Sequence, residues 1–362
     1  MRIGIDCRLA GIEHAGLGRY IQSLVSQLLT EHQEVEWVLF FSQKKQHQLF
    51  AHLGRFEAIY TPVKHYTLRE QWQMWHIFKR AQLDLLHVPH FNLPIMYDQP
   101  VVITIHDLLW HTQRGARVTT LPSWIYWPKY LAYKLVVRSA LTRAKLILVP
   151  SNSVKSTLSQ LYPDVKTKIQ VTYEGASLLP PEPLTFSLPD KYLLYVGSLY
   201  PHKNVELILQ AMQHISYPLV VVTARSAFTQ QFVLLIKKYN LESRVQILHQ
   251  VSDAQLHTVY QKAFCLVQPS LSEGFGLTGV EALAAGAPLL ASDIPVFREI
   301  YQEGALYFDP HNPKSLVDLI NQLPGQKPNF VTQAKKVAAQ YSWKKTAQLT
   351  FQAYRQATQM TA

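Results

Sequence analysis

The run Pro269-Ser270-Leu271-Ser272-Glu273-Gly274-Phe275-Gly276-Leu277-Thr278-Gly279-Val280-Glu281 sets two carboxylates around three glycines. Glycine lets a backbone amide come close to a ligand, and a helix N-terminus attracts negative charge. A glycine-rich turn that opens a helix is therefore a cradle for phosphate. Carboxylates beside phosphate have their own use, because sugar hydroxyls are good donors to them. Glu273 and Glu281 would read sugar while the amides read phosphate. Glu281 lies in the first helical turn if the helix starts near Thr278, facing a ribose or sugar hydroxyl, and about two turns in if it starts at Glu273. The same residues also suit a capped helix with two solvated glutamates.

Three further places could do chemistry. Lys203 follows the strand-like Tyr192–Val196 in Gly197-Ser198-Leu199-Tyr200-Pro201-His202-Lys203-Asn204. A lysine at such a turn can neutralise a diphosphate as its bond to a sugar breaks, and is otherwise an exposed charge. His106-Asp107 follows the apolar Val101–Ile105, so it should emerge at the carboxyl end of a strand, where open parallel sheets keep their ligands. His106 can hydrogen-bond a sugar or its leaving group, with Asp107 holding ring or loop; the other reading is a structural histidine pinned by a carbonyl. Ile3-Gly4-Ile5-Asp6 runs into Ala15-Gly16-Leu17-Gly18-Arg19-Tyr20, a weak nucleotide-binding signal by itself. With no Asp-x-Asp pair and no His/Cys cluster at ligand spacing, neither metal nor cofactor is expected.

Positioning these groups calls for an α/β architecture, and short β-rich runs alternate with helical stretches throughout. In the first half the strands are read as Arg2–Asp6, Trp37–Phe41, Asp84–Val88, Val101–Ile105, Lys145–Val149 and Lys168–Val171. Helices are read at Leu17–Leu29, Arg69–Ala81 and Ser151–Leu161. The Pro180-Pro181-Glu182-Pro183 stretch with Pro189 marks a linker. Beyond it the strands are Tyr192–Val196, Leu219–Thr223, Val245–Leu248, Ala263–Val267, Leu289–Ala291 and Leu306–Phe308. The helices there are Val205–Ile215, Phe228–Tyr239, Gly279–Ala285, Ser315–Gln322 and Trp343–Arg355. The expected domains are residues 1–180, residues 190–342 and a terminal helix, 343–362.

A chain of 362 residues is too long for one ordinary core and suits two α/β domains. Cys7 and Cys265 each sit in an apolar run and read as small buried hydrophobes. The N-terminus reads as a first strand rather than a signal peptide, and no run approaches the ~18 apolar residues of a spanning helix. The expected location is the cytoplasm. The net charge of +11 is uneven: residues 1–180 carry 20 Lys+Arg against 12 Asp+Glu, the rest 15 against 12. No acidic residue lies between Asp107 and Asp164, a span holding Arg114, Arg117, Lys129, Lys134, Arg138, Arg143, Lys145 and Lys155. Trp110, Trp124, Tyr126, Trp127, Tyr130 and Tyr133 are interleaved with them. That mixture suits peripheral contact with an anionic membrane surface, or a solvated basic face over an aromatic core. The aromatic Tyr66–Trp75 stretch suits an acceptor cleft, lipid contact or plain core. No nucleic-acid-binding module is present.

The chain resembles the retaining glycosyltransferases of family 4, whose signature of two glutamates separated by seven residues stands here as Glu273 and Glu281. The resemblance implies the GT-B fold, two Rossmann-like lobes facing across a cleft, with acceptor bound by the first lobe and nucleotide-sugar by the second. It implies that Glu273 contacts the transferred sugar, the amides of Gly274, Phe275, Gly276, Leu277 and Thr278 its hydroxyls and phosphates, and Glu281 the ribose. Gly197 and Ser198 fall in the family's donor-side turn, where many members carry arginine in place of Ser198, and Lys203 matches. Gly16 falls in a loop that brings amides towards the diphosphate, with Ala15 in place of a common glycine, and His106 matches a histidine that touches the donor sugar. The terminal Trp343–Arg355 helix resembles a segment that crosses back to the first lobe.

The reaction so implied is metal-independent transfer of a hexose with retention, by a front-face route. Similarity to mannose-transferring members in Ile105-His106-Asp107-Leu108 and Pro201-His202-Lys203-Asn204 makes GDP-mannose the first expectation for the donor, with UDP-sugars next. The expected acceptor is a glycan or polyprenyl-linked saccharide in cell-surface polysaccharide synthesis. A non-catalytic sugar-nucleotide-binding subunit or sensor is the alternative. Ser198 supports it; Lys203, Glu273 and His106 oppose it.

Overall fold

The computed structural model describes residues 1–11, 15–112, 122–176, 178–224, 227–325 and 327–360. Arg114 and Arg117 of the basic stretch lie outside the described residues. The chain forms two compact units, Met1–Glu174 with Trp343–Ala362, and Gly175–Ser342.

The first unit is built on β1 (Arg2–Asp6), β2 (Glu36–Phe41), β3 (Glu57–Tyr60), β4 (Leu85–Val88), β5 (Val101–Thr104), β6 (Leu146–Val149) and β7 (Ile169–Val171). They pair in the order β3-β2-β1-β4-β5-β6-β7, every pair parallel. β4, β5 and β6 are buried at every residue and dominated by Leu, Ile and Val, as strands covered on both faces must be. β3 was absent from the sequence reading. It is a four-residue edge strand, Glu-Ala-Ile-Tyr, that buries no residue fully, so its apolar signal is weak.

The Ser123–Arg143 helix also escaped that reading, which took the region as a basic aromatic stretch without an element. It buries Tyr126, Tyr130, Val137, Ala140 and Leu141 while Trp124, Trp127, Leu131 and Leu135 stand exposed at 76, 48, 62 and 66%. Apolar residues on opposite faces cancel the 3.6-residue period that identifies a helix, and Pro128 inside it reads as a break. Among the described residues no helix is long and apolar enough to cross a membrane.

The terminal helix, Trp343–Gln359, belongs to the first unit. Its Tyr354 hydroxyl lies 2.6 Å from Nδ1 of the buried His87, whose Nε2 lies 2.9 Å from Thr104 Oγ1. Thr346 donates to Tyr173 O at 2.7 Å, and Trp343 meets the Tyr20 ring edge-on at 5.9 Å.

The second unit holds β8 (Leu193–Val196), β9 (Leu219–Val222), β10 (Val245–Leu248), β11 (Cys265–Gln268), β12 (Leu289–Ser292) and β13 (Leu306–Phe308), in the order β10-β9-β8-β11-β12-β13 and parallel throughout. In each unit the first strand lies between the second and the fourth, so the order reverses between β1 and β4 and again between β8 and β11. Ligands of open parallel sheets sit beyond the carboxyl ends of strands at such a reversal. Cys7 and Cys265 are both buried, with no disulfide between them.

Candidate functional site

In the second unit β8 ends at Val196 and runs into Gly197-Ser198, while β11 ends at Gln268 and runs into the glycine-rich turn, so both segments lie at the sheet's reversal. Lys203 closes a 3-10 turn, Pro201–Lys203, and Asn204 follows it at φ 54, braced by its side-chain amide on Pro310 O at 2.9 Å. Leu271 N–H donates to His202 O at 2.8 Å, which fixes this turn against the Glu273 turn. The Lys203 ammonium lies 2.6 Å from Glu273 Oε1, and Ser270 Oγ donates to the same oxygen at 2.8 Å.

Burial pushes the Glu273 carboxyl up, but the charge and hydrogen bond of Lys203, then the His202 charge and the Ser270 hydroxyl, bring it below the ordinary range. A carboxylate so held remains ionised through neutral pH. Tyr195 donates to Ser198 O, and its own hydroxyl is pushed far up by burial and by the Glu273 charge. The Gly197-Ser198 turn therefore lies within the field of Glu273.

The Leu277–Ala285 helix starts from Gly276 at φ 97. Gly279 and Val280 turn their N–H groups to Gly276 O at 3.0 and 3.4 Å. The N–H groups of Leu277 and Thr278 have no carbonyl one turn earlier, which leaves them as donors at the helix N-terminus. Gly276 and Gly279 also make room for a side chain behind the turn. A Cβ on Gly276 would lie 2.0 Å from the Tyr301 hydroxyl and one on Gly279 would lie 2.4 Å from it. Tyr301 OH donates to Gln268 Oε1 at 2.6 Å and sits 2.8 Å from Gly276 O, and Gln268 Nε2 reaches Thr278 Oγ1 at 3.2 Å. This brace sets the turn from behind. Phe275 is buried and meets Tyr341 edge-on at 5.4 Å. Glu281 is 2% exposed and accepts from Tyr260 OH at 3.1 Å.

In the first unit His106 follows β5. Its Nδ1 lies 3.2 Å from Glu174 Oε1, its Nε2 lies 3.1 Å from Pro89 O, and the ring meets Tyr20 edge-on at 4.5 Å. Asp107 holds the loop by accepting from Leu109 N at 3.0 Å, while Glu174 and Pro89 hold the ring. Gly16 stands in the first turn of the Ala15–Glu31 helix rather than in a loop, and among the described residues nothing lies within 4 Å of a Cβ built there. The sterically demanded glycine of that helix is Gly18, where a Cβ would stand 1.9 Å from Gly11 O.

Lys203, Glu273, Gly197, Ser198 and Gly274 to Thr278 thus share one region of the second unit, and His106 and Gly16 belong to the first. Ser270, Gln268, Tyr301 and Glu174 were missed. Glu174 stood in sight, because it too follows a strand at the sheet's carboxyl edge, the rule that singled out His106. Tyr301 had no signal, lying on a helix thirty-three positions from the Gln268 it braces. Among the described residues no group of three or more His, Cys, Asp or Glu side chains could hold a metal ion.

Two sheets of this order in one chain, one carrying a lysine–glutamate pair and a glycine-opened helix at its reversal, define a glycosyltransferase of the GT-B class. Residues 14–178 match the family model described as Glycosyltransferase Family 4 and residues 181–339 that described as Glycosyl transferases group 1, and the chain belongs to these glycosyltransferases. It is 29% identical over 275 residues to the O-antigen chain mannosyltransferase RfbU of Salmonella typhimurium, 75% of this chain and 74% of that one. It is 27% identical over 379 residues to the O-antigen chain mannosyltransferase B of Escherichia coli, 94% of this chain and 96% of that one. In fold it is similar to the sucrose-phosphate synthase of Thermosynechococcus elongatus, with a TM-score of 0.78 at 20% identity over 98% of each chain. It is likewise similar to Anabaena HepE in complex with UDP and glucose, with a TM-score of 0.72 at 15% identity over 98% of this chain and 100% of that one.

Proposed function

We propose that this chain is a retaining, metal-independent hexosyltransferase that moves mannose from GDP-mannose onto a glycan or polyprenyl-linked saccharide during cell-surface polysaccharide synthesis. The observation that carries the reading is the Lys203–Glu273 pair at the β8/β11 reversal, an ammonium and an ionised carboxylate beside a helix N-terminus. The likeness to two O-antigen mannosyltransferases favours mannose over the sugars of UDP donors.

In this reading Leu277 and Thr278 amides take the diphosphate, the Gly274 to Gly276 turn, Gly197 and Ser198 complete the second unit's donor surface, and Glu281 serves the ribose. Lys203 neutralises charge on the departing diphosphate while Glu273 accepts a mannose hydroxyl. The bond from the anomeric carbon to the diphosphate oxygen breaks, and the acceptor oxygen bonds that carbon on the same face. The acceptor's proton passes to the departing diphosphate. Lys203 supplies the positive charge that a metal provides elsewhere, so neither metal nor cofactor is required.

Access to a lipid-linked acceptor would come from peripheral docking of the Ser123–Arg143 helix. Its exposed Trp124, Trp127, Leu131 and Leu135 suit the headgroup boundary of an anionic inner leaflet, with Lys129 for its charge.

Titration with GDP-mannose, UDP-glucose and UDP-N-acetylglucosamine in chelator tests the donor assignment. GDP-mannose is expected to bind and turn over slowly, with turnover lost in Glu273→Ala. No binding of any donor overturns the site assignment and favours a non-catalytic relative.

A further inference from the structure

The order reversal between β8 and β11 holds the lysine–glutamate pair. The equivalent reversal of the first unit, between β1 and β4, holds a buried charged network that the donor chemistry does not use. Arg8, two residues beyond β1, is 1% exposed. Its Nε and Nη2 donate to Asp6 at 2.9 and 2.7 Å, and Nη2 is also 2.9 Å from Glu70 Oε1. Nη1 is buried without a hydrogen-bond partner. Glu70, also 1% exposed, has His65 Nδ1 3.2 Å from Oε1 and accepts at Oε2 from Tyr66 N at 2.6 Å and Asn92 Nδ2 at 2.7 Å. One carboxylate thus gathers the segments after β1, before the Leu68–Arg80 helix and after β4.

The outcome of that gathering is Tyr66. Its backbone is left-handed, at φ 62, a conformation unfavourable for a non-glycine residue that persists where the surroundings enforce it. The residue is 59% exposed, and its ring stands 5.9 Å from His90 at 68°. His90 in turn lies against Phe91 at 3.9 Å. His65 Nε2 and His90 Nδ1, like Arg8 Nη1, are buried without a hydrogen-bond partner, and an orphan of this kind is destabilising. Burial, then the charges of His106 and His65, lowers His90 to about 3, so its ring is neutral at working pH.

The chemistry of the unused atoms is specific. Arg8 Nη1 can only donate. Glu70 Oε1, near the charges of Arg8 and His65 but without a hydrogen bond, accepts. A hydroxyl both takes and gives a proton, and so fits this combination. An exposed aromatic ring beside hydroxyl-reading groups suits a pyranose, which has an apolar C–H face and a polar rim. A phosphate suits it poorly, because Asp6 and Glu70 already outnumber the one guanidinium.

We propose that Tyr66, over the Arg8–Glu70–His65 network, is the platform that binds the receiving saccharide of the acceptor. This deepens the transferase reading and rests on it.

The test is saturation-transfer NMR on the full chain with the methyl glycosides of mannose, galactose and N-acetylglucosamine, beside Tyr66→Asn and Tyr66→Phe. Asparagine tolerates the left-handed backbone, so Tyr66→Asn keeps the fold while losing the ring. At least one glycoside should bind the wild type, weaken tenfold or more in Tyr66→Asn and return with Tyr66→Phe, while GDP affinity stays within twofold. The proposal is overturned if no glycoside binds, if Tyr66→Asn leaves glycoside binding unchanged, or if inorganic phosphate alone displaces the glycoside. GDP affinity, measured in the same samples, reports separately on the donor reading.

Discussion

Lys203 and Glu273, seventy positions apart in sequence, meet at 2.6 Å with 21 and 12% of their side chains exposed. A carboxylate so enclosed depends on its cation. Replacing Lys203 by methionine should reduce donor turnover on the order of 10²–10³-fold, the scale for losing one preorganised charge-stabilising group. It should also cost about 2–3 kcal/mol of stability in urea unfolding, at the low end for a broken buried pair because the lysine is partly wet. Lys203→Met with Glu273→Met should regain stability without regaining turnover.

The same pair sets an acid limit. Glu273 has its folded value below the ordinary glutamate value of 4.5, so the unfolded chain takes the proton first as pH falls. The stability contributed is complete above that value and is lost as pH falls through the folded one. Unfolding of wild type against Glu273→Gln should show a constant difference from pH 7 to about 5 and a shrinking one below.

Two glycines near the chain's start should separate packing from ligand contact. Gly18→Ala drives a Cβ into Gly11 O at 1.9 Å and should destabilise by about 3 kcal/mol or more in thermal or urea unfolding. Gly16→Ala meets nothing within 4 Å among the described residues and sits in a helix, so its Tm should match or exceed the wild type. A loss of donor affinity in Gly16→Ala would then be a direct ligand effect.

Three histidines should make the first unit acid-sensitive well above the carboxylate range. Burial lowers His87 and His90 to about 3 and His111 to about 4, with neighbouring His106 (for both His87 and His90), His65 and Lys134 charges adding to it. The unfolded chain binds these protons from about pH 6.5 downward, so stability is complete above that and declines towards the folded values. His87→Gln should flatten the fall in urea midpoint between pH 7 and 5.

Much of this was legible in the sequence. Every strand of the second sheet and all but β3 of the first stand out as short apolar runs, because a parallel sheet covered on both faces has little choice of residue. Ser151 reads as a helix start and does cap one, accepting from Val154 N at 3.2 Å. The Ser123–Arg143 helix was hidden because its outer face is as apolar as its inner one. At the candidate site, residue types and spacing pointed to Glu273 and His106, and the family resemblance pointed to Lys203. What they touch was not legible: Ser270, Glu174, Tyr301 and the Arg8–Glu70 network are brought together by the packing of distant segments, and no local pattern encodes that.

The most direct measurement is proton NMR of GDP-α-mannose turnover in chelator, following which mannosyl anomer forms first, with Glu273→Ala alongside. The account predicts the α product from the wild type and no turnover in the variant. First appearance of the β product, or equal turnover in Glu273→Ala, would contradict retaining transfer at the Lys203–Glu273 site.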